Sequence, residues 1–222
     1  MPTAESFHVS MVGWKLIEPV DGQIVWVNEG VPDVRIQRYG RFPPTDLPPD
    51  YPNIESHRAM FERMMNQSQG AVISVDFLKV KGIEAFQTIF KFHMPENSLG
   101  MRYLGSVMFP FMNCFCGFTF QCDEYGTTGT REALSYMVES RLNPQPPEAP
   151  PPPVQVSSME GFFDKIRNAP VRRLPSDDEQ YDSLVPTHPL TRTRRYLKEL
   201  VETIEFDDEV RSTAPYRGIN NR

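Results

Sequence analysis

Apolar residues recur at every second position through AVISVDFLKV (71–80), IEAFQTIFKFHM (83–94), MRYLGSVMF (101–109) and CFCGFTFQCDEY (114–125). A strand points successive side chains to opposite faces, so this period predicts an antiparallel meander from Ala71 to Tyr125. Lys81-Gly82 joins the first two runs as a tight turn, and PENSLG reads as a loop before the third. In the second run Phe86, Phe90 and Phe92 share one face, opposite Ala85, Gln87, Ile89 and Lys91. Upstream, FHVSMVGWKL, QIVWVN and VRIQRY form a region of short strands over 7–42, broken by DG and GVPD.

Other segments follow the helical period. IESHRAMFERMMNQ places Ile54, Met60, Phe61, Met64 and Met65 on roughly one side, after Asn53 as a cap and before Gly70 as a stop. Methionines at that spacing read as core filler rather than a sticky groove. GTTGTREALSYMVES predicts a helix over about 130–140, with Ala133, Leu134, Met137 and Val138 as its buried face. Pro189 opens a third helix at about 189–204, with Leu197, Leu200, Val201 and Ile204 on one side. MEGFFDKIRN suits a short helix.

Proline punctuates the rest. FPPTDLPPDYP holds five prolines and excludes regular helix or central strand. PQPPEAPPPP reads as an extended polyproline spacer, with recognition by a proline-binding domain as the alternative. These breaks divide the chain into a body over 1–143, a linker over 144–157 and a C-terminal extension over 158–222. The expected fold is α+β: a mainly antiparallel sheet covered by helices 54–67 and 130–140, with a C-terminal helical extension that docks back or reaches a partner.

Composition narrows the classes. Of 222 residues, 22 are proline, about twice the usual share, and 39% are apolar, below the globular average. A net charge of −6 argues against nucleic acid and anionic membranes, which want a basic surface. No run of about 18 apolar residues is present to span a membrane. The N-terminal segment has no basic region followed by an unbroken apolar stretch, and three cysteines suit a reducing compartment. The expected location is cytoplasmic.

Chemistry-bearing residues are sparse. On a strand Cys114, Cys116 and Cys122 share a face with Phe118 and Phe120, which reads as a buried sheet surface. Their C-x-C-x₅-C spacing fits neither a zinc knuckle nor a C-x-x-C exchange motif. His8, His57, His93 and His188 are scattered, without H-E-x-x-H. YGTTGTRE lacks the Walker and dinucleotide patterns, so anion binding at that turn is the minor reading beside ordinary strand-to-helix punctuation. SDDEQYD (176–182) and EFDDE (205–209) read as solvated acidic turns. No cofactor and no metal is expected.

Helix 54–67, the meander of VKGIEAFQTIFKF, MRYLGSVMF and CFCGFTFQCDEYGTTG, and the helix of TREALSYM resemble the Mog1/PsbP-like architecture over about 20–140. In that group an antiparallel sheet and flanking helices form an α/β/α sandwich. RYLGSVMFPF and CDEYGTTGTREA, followed by YDSLVPTHPLTRTRRYL, also resemble a family of uncharacterised bacterial proteins. Known members of the fold are mostly non-catalytic, so the resemblance implies a binding role and supplies no functional residue. The reading is a non-enzymatic protein-binding protein of accessory, adaptor or immunity type, with a protein partner and with Tyr181, Tyr196, Arg192, Arg194 and Arg195 as candidate contacts. The alternatives are an enzyme that assembles Cys114 with His93 or His188 in space, and a carrier with an apolar cavity under the aromatic face.

Overall fold

The computed structural model describes residues 2–20, 23–40, 47–48, 50–94, 99–126, 128–142, 160–161, 165 and 168–218. The linker expected at 144–157 lies outside them, as does most of MEGFFDKIRN.

Seven strands form one sheet in the order β2-β3-β4-β8-β7-β6-β5, every neighbouring pair antiparallel. Their ranges are Trp14–Val20 (β2), Gln23–Asn28 (β3), Val34–Gly40 (β4), Ala71–Val80 (β5), Ile83–His93 (β6), Met101–Pro110 (β7) and Phe115–Asp123 (β8). The Lys81-Gly82 turn joins β5 to β6 with both residues at positive φ, 47° and 93°, as a two-residue hairpin requires. The two remaining strands, β1 (Phe7–His8) and β9 (Glu205–Phe206), pair with each other and tie the N-terminal segment to the C-terminal one.

Helix α1 (Ile54–Gln67) starts on the Asn53 side chain, which accepts from the backbone N–H groups of Glu55 at 3.0 Å and Ser56 at 3.1 Å. It stops just before Gly70, as expected, although the glycine does not take the left-handed turn. Gln69 takes the left-handed turn at φ 53°, while Gly70 N–H closes on Met65 O at 2.8 Å. Gly70 is needed for close approach: a Cβ there would meet the Phe92 ring at 2.7 Å. Phe61 and Met65 pack with Tyr51, Val75, Phe86, Phe90 and Tyr216 on one face of the sheet.

The opposite face is covered by α3 (Pro189–Thr203), which crosses β7 and β8. Leu190, Leu197, Leu200 and Ile204 are buried there with Ile89, Tyr103, Val107, Phe118 and Phe120. At about 1.5–3 kcal/mol for each fully buried aliphatic side chain, these four contribute several kcal/mol to docking. The helix comes close because β7 carries Gly105 beneath it; a Cβ there would lie 2.4 Å from Thr193 Cγ2.

Helix α2 (Thr130–Leu142) corrects the expectation for the second covering helix. It packs on the 3-10 turns Pro175–Asp177 and Glu179–Leu184 and leaves the sheet to α3. Its buried residues are Arg131 and Ser135, whereas Met137 is half exposed. A short helix α4 (Asp208–Ser212) follows β9 and buries Val210. The fold is α+β, helices on both faces of an antiparallel sheet. Among the described residues no helix is long and apolar enough to cross a membrane.

Candidate functional site

The N-terminus of α3 is where sheet, α2 and the 3-10 turns converge, and it is unusually polar inside. His188 caps the helix: its Nδ1 accepts from the Leu190 N–H at 3.2 Å, and Pro189 fills the first helical position, where an N–H is dispensable. The ring is buried and stands edge-on to Tyr103 at 5.4 Å. Burial, with the Arg131, Lys91, Arg192 and Arg194 cations around it, pushes its pKa down to about 3. The imidazole is therefore neutral, and since Nδ1 accepts, the proton sits on Nε2. That N–H lies 3.9 Å from Glu124 Oε1 and has no hydrogen-bond partner among the described residues.

Charged groups around this point are paired inside the protein. Lys91 and Asp177, 2% and 0% exposed, meet at 3.1 and 3.2 Å. Arg131, fully buried, donates to Thr191 Oγ1 at 2.9 Å, Asp178 O at 2.8 Å, Asp182 Oδ1 at 2.7 Å and Ser176 O. Arg194 also donates to Asp182, at 2.8 Å. On the other side of α3, Arg192 grips buried Asp33 bidentately at 2.7 and 2.9 Å, and Tyr196 O–H reaches the same carboxylate at 3.0 Å. Burial pushes the Glu124 carboxyl above its usual range, against the opposing pull of N–H groups donated by Met101 and Gly129, each at 3.1 Å. The N–H at the GTTGT turn thus already serves a carboxylate of the chain, which is the group an anion would replace.

Two concave surfaces flank the seam. A crevice of about 320 Å³ opens onto His188 and Glu124, between Thr130, Val185, Thr187 and Arg192. A larger groove of about 750 Å³ lies on the sheet beside α3. Its floor is Ile73, Ser74, Asp76 and Leu78 of β5 with Gln87 and Ile89 of β6, and its walls carry Arg194, Arg195, Lys198 and Glu202 of α3 and Arg173, Asp178 and Glu179.

The five residues singled out in the sequence occupy different places. Tyr181 and Tyr196 are buried, the first bonded to Glu139 and the second stacked on Phe120. Arg192 is buried on Asp33, and Arg194 is partly buried on Asp182. Arg195 is exposed and pairs loosely with Glu199 at 3.8 Å. Tyr196, Arg192 and Arg194 tie α3 to its surroundings, and Tyr181 ties the Glu179–Leu184 turn to α2; Arg194 and Arg195 also line the groove.

The cysteines are buried, free and in the same core cluster as Phe109, Phe118 and Phe120, as strand alternation predicted. Burial pushes the Cys116 thiol up to about 12 and raises those of Cys114 and Cys122, so none is poised as a thiolate. The assembled Cys114–histidine site does not form. His93 pairs with Met101 at one end of β7 and Phe115 with Pro110 at the other, about 30 Å away, and His188 stands at the Tyr103 end. His93 Nε2 bonds Ala169 O at 2.8 Å. The aromatic face proposed for a carrier is filled by Phe61 and Met65. Among the described residues no group of three or more His, Cys, Asp or Glu could hold a metal ion.

Sequence reasoning missed Lys91, Asp177, Arg131, Glu124 and Asp33. One signal was present: alternation puts Lys91 on the face of Ala85 and Ile89, and a cation on a core-facing position requires a carboxylate partner. The carboxylate came from SDDEQYD, whose composition reads as a surface turn.

No protein-family model matches the chain, and no curated protein does. Among solved structures, it is similar to a protein of Bacteroides thetaiotaomicron VPI-5482, at 12% identity and a TM-score of 0.36, over 57% of this chain and 41% of that one. It is also similar to cyanobacterial PsbP (CyanoP) of Synechocystis sp. PCC 6803, at 10% identity and a TM-score of 0.34, over 60% of this chain and 86% of that one. The chain thus spans less than half the length of the first of these. The PsbP-like resemblance is a weak one of architecture, and it carries no residue's role.

Proposed function

We propose that this is a non-enzymatic protein-binding protein of the bacterial cytoplasm, of accessory, adaptor or immunity type, and that the groove over β5 and β6 receives a basic amphipathic helix of its partner. The supporting observation is the shape and lining of that groove. Helix α3 covers β7 and β8, and the two strands beyond it span about 10 Å, one helix diameter. Ile73, Leu78, Ile89 and Val201 offer apolar contact. The groove's cations are engaged: Arg173 with Asp178, Arg194 with Asp182, Arg195 with Glu199 and Lys198 with Glu202. Asp76 and Glu179 have no ion-pair partner among the described residues, so the uncompensated charge is negative and selects a basic partner. Arg194 and Arg195 form the rim on the α3 side.

A photo-crosslinking residue at Gln87, in the groove, and another at Glu62, on the exposed side of α1, test the reading in host cells. One protein captured from Gln87 alone, through a basic helical segment, and lost on Asp76→Lys with Glu179→Lys, is the expected result. Equal capture from both positions, or none from Gln87, rejects it.

A further inference from the structure

Seven buried side-chain atoms lack a hydrogen-bond partner among the described residues, and four of them belong to residues around the N-terminus of α3: His188 Nε2, Tyr103 Oη, Glu132 Oε2 and Ser176 Oγ. Leaving such atoms dry is costly, so a concentration of them marks a place where something else makes the bonds. His188, Tyr103 and Ser176 are each more than nine-tenths buried. The rings of Tyr103 and His188 are 5.4 Å apart, and His188 Nε2 is 3.9 Å from Glu124 Oε1, beyond a direct bond. The charges of Glu132 and Glu124 both act on the Tyr103 hydroxyl, and that of Glu132 acts on Glu124, so the groups lie within electrostatic reach of one another.

We propose that this chamber is a water-binding site. One water molecule accepts from His188 Nε2–H and Tyr103 O–H and donates to Glu132 Oε2 and to Glu124 Oε1, with Ser176 Oγ bordering the site. The complement is the argument. Two donors and two acceptors match the two lone pairs and two protons of a water. Ammonium or a metal cation would confront the His188 N–H, and an anion would face two carboxylates. An apolar occupant would leave all four atoms unbonded. The crevice lined by Glu124 and His188 supplies an exchange path. The water joins the sheet through Tyr103, α2 through Glu132 and the cap of α3 through His188. It therefore belongs to the docking of the C-terminal segment and does not depend on the groove being a binding surface. His188 is not a base toward this water: both of its nitrogens are committed, leaving no lone pair to take a proton.

The test is a crystal structure of the full chain at a resolution that places waters, with histidine NMR of the same protein. An oxygen within about 2.6–3.2 Å of both His188 Nε2 and Tyr103 Oη is expected. In solution His188 should keep its proton on Nε2 from pH 8 to pH 5, with a cross-peak from that proton to water. A dry chamber, a direct His188–Glu124 bond, or a proton on Nδ1 overturns the assignment. Glu132→Gln, which keeps an acceptor, should retain the water, and Tyr103→Phe should lose it or weaken its density. Unchanged density in Tyr103→Phe overturns the assigned contact, and the cross-peak in the unaltered chain decides the site if that variant does not fold.

Discussion

Replacing Lys91 by methionine removes the charge from a pair that water does not reach while nearly preserving side-chain volume. Lys91 is 2% exposed and Asp177 0%, with the ammonium 3.1 and 3.2 Å from the two carboxylate oxygens. After the substitution Asp177 keeps the Leu174 N–H, at 2.8 Å, but faces the vacated position as a buried anion. Breaking one side of a buried pair costs about 3–5 kcal/mol, most of it from the charge left behind. That is a large part of a total stability of about 5–15 kcal/mol, so Lys91→Met should melt roughly 6–20 °C lower. Urea unfolding followed by circular dichroism should show the midpoint falling by roughly 1–2 M. The double variant Lys91→Met with Asp177→Asn keeps an acceptor for Leu174 N–H and removes the stranded charge. It should recover at least half of the loss. A single variant within about 1 kcal/mol of the unaltered protein, or costs that simply add in the double variant, would refute the buried pair.

Gly105→Ala should push α3 off the sheet at a cost of about 1–3 kcal/mol, read by thermal melting and partly rescued by Thr193→Ala, because the new Cβ would lie 2.4 Å from Thr193 Cγ2. Stability should fall in acid: His188 titrates at about 3 when folded and near the ordinary 6.5 when unfolded, so its contribution is complete above about 6.5 and is lost as pH drops toward 3. The slope from this residue is at most about 1.4 kcal/mol per pH unit, and His188→Asn, which keeps a capping oxygen, should flatten it in a urea-midpoint series. No thiol should react with a disulfide reagent in the native protein and all three should react after unfolding, since each cysteine is at most 1% exposed. One rapidly labelled native cysteine would contradict the packing of β8.

The sheet was legible because its signal is local. Alternation in β5–β8, the Lys81-Gly82 turn and the Asn53 cap each use residues adjacent in the chain, and each formed as its pattern required. The three cysteines also took their expected face. The helix faces were less legible. TREALSYM carries a plausible apolar stripe, yet its anchoring residue is Arg131, three of whose hydrogen bonds go to acceptors in a segment more than forty positions away. Arg192, Arg194 and Tyr196 looked like surface anchors because arginine and tyrosine are common at interfaces, and the pattern held no sign of Asp33 or Asp182 opposite them.

Residue order alone therefore settled the four long strands β5–β8 and the helices α1, α2 and α3, since periodicity and capping act within a few residues, whereas β9, α4 and the two 3-10 turns formed where the composition reads as solvated acidic turns. It did not settle which helix covers the second face. Helix α2 and α3 both presented apolar positions. The choice fell to α3, where Gly105 admits close approach and where Asp33, Asp177 and Asp182 neutralise the polar groups that docking would bury. That balance of contact against desolvation depends on partners from remote segments, and it exists only once the sheet has brought them together.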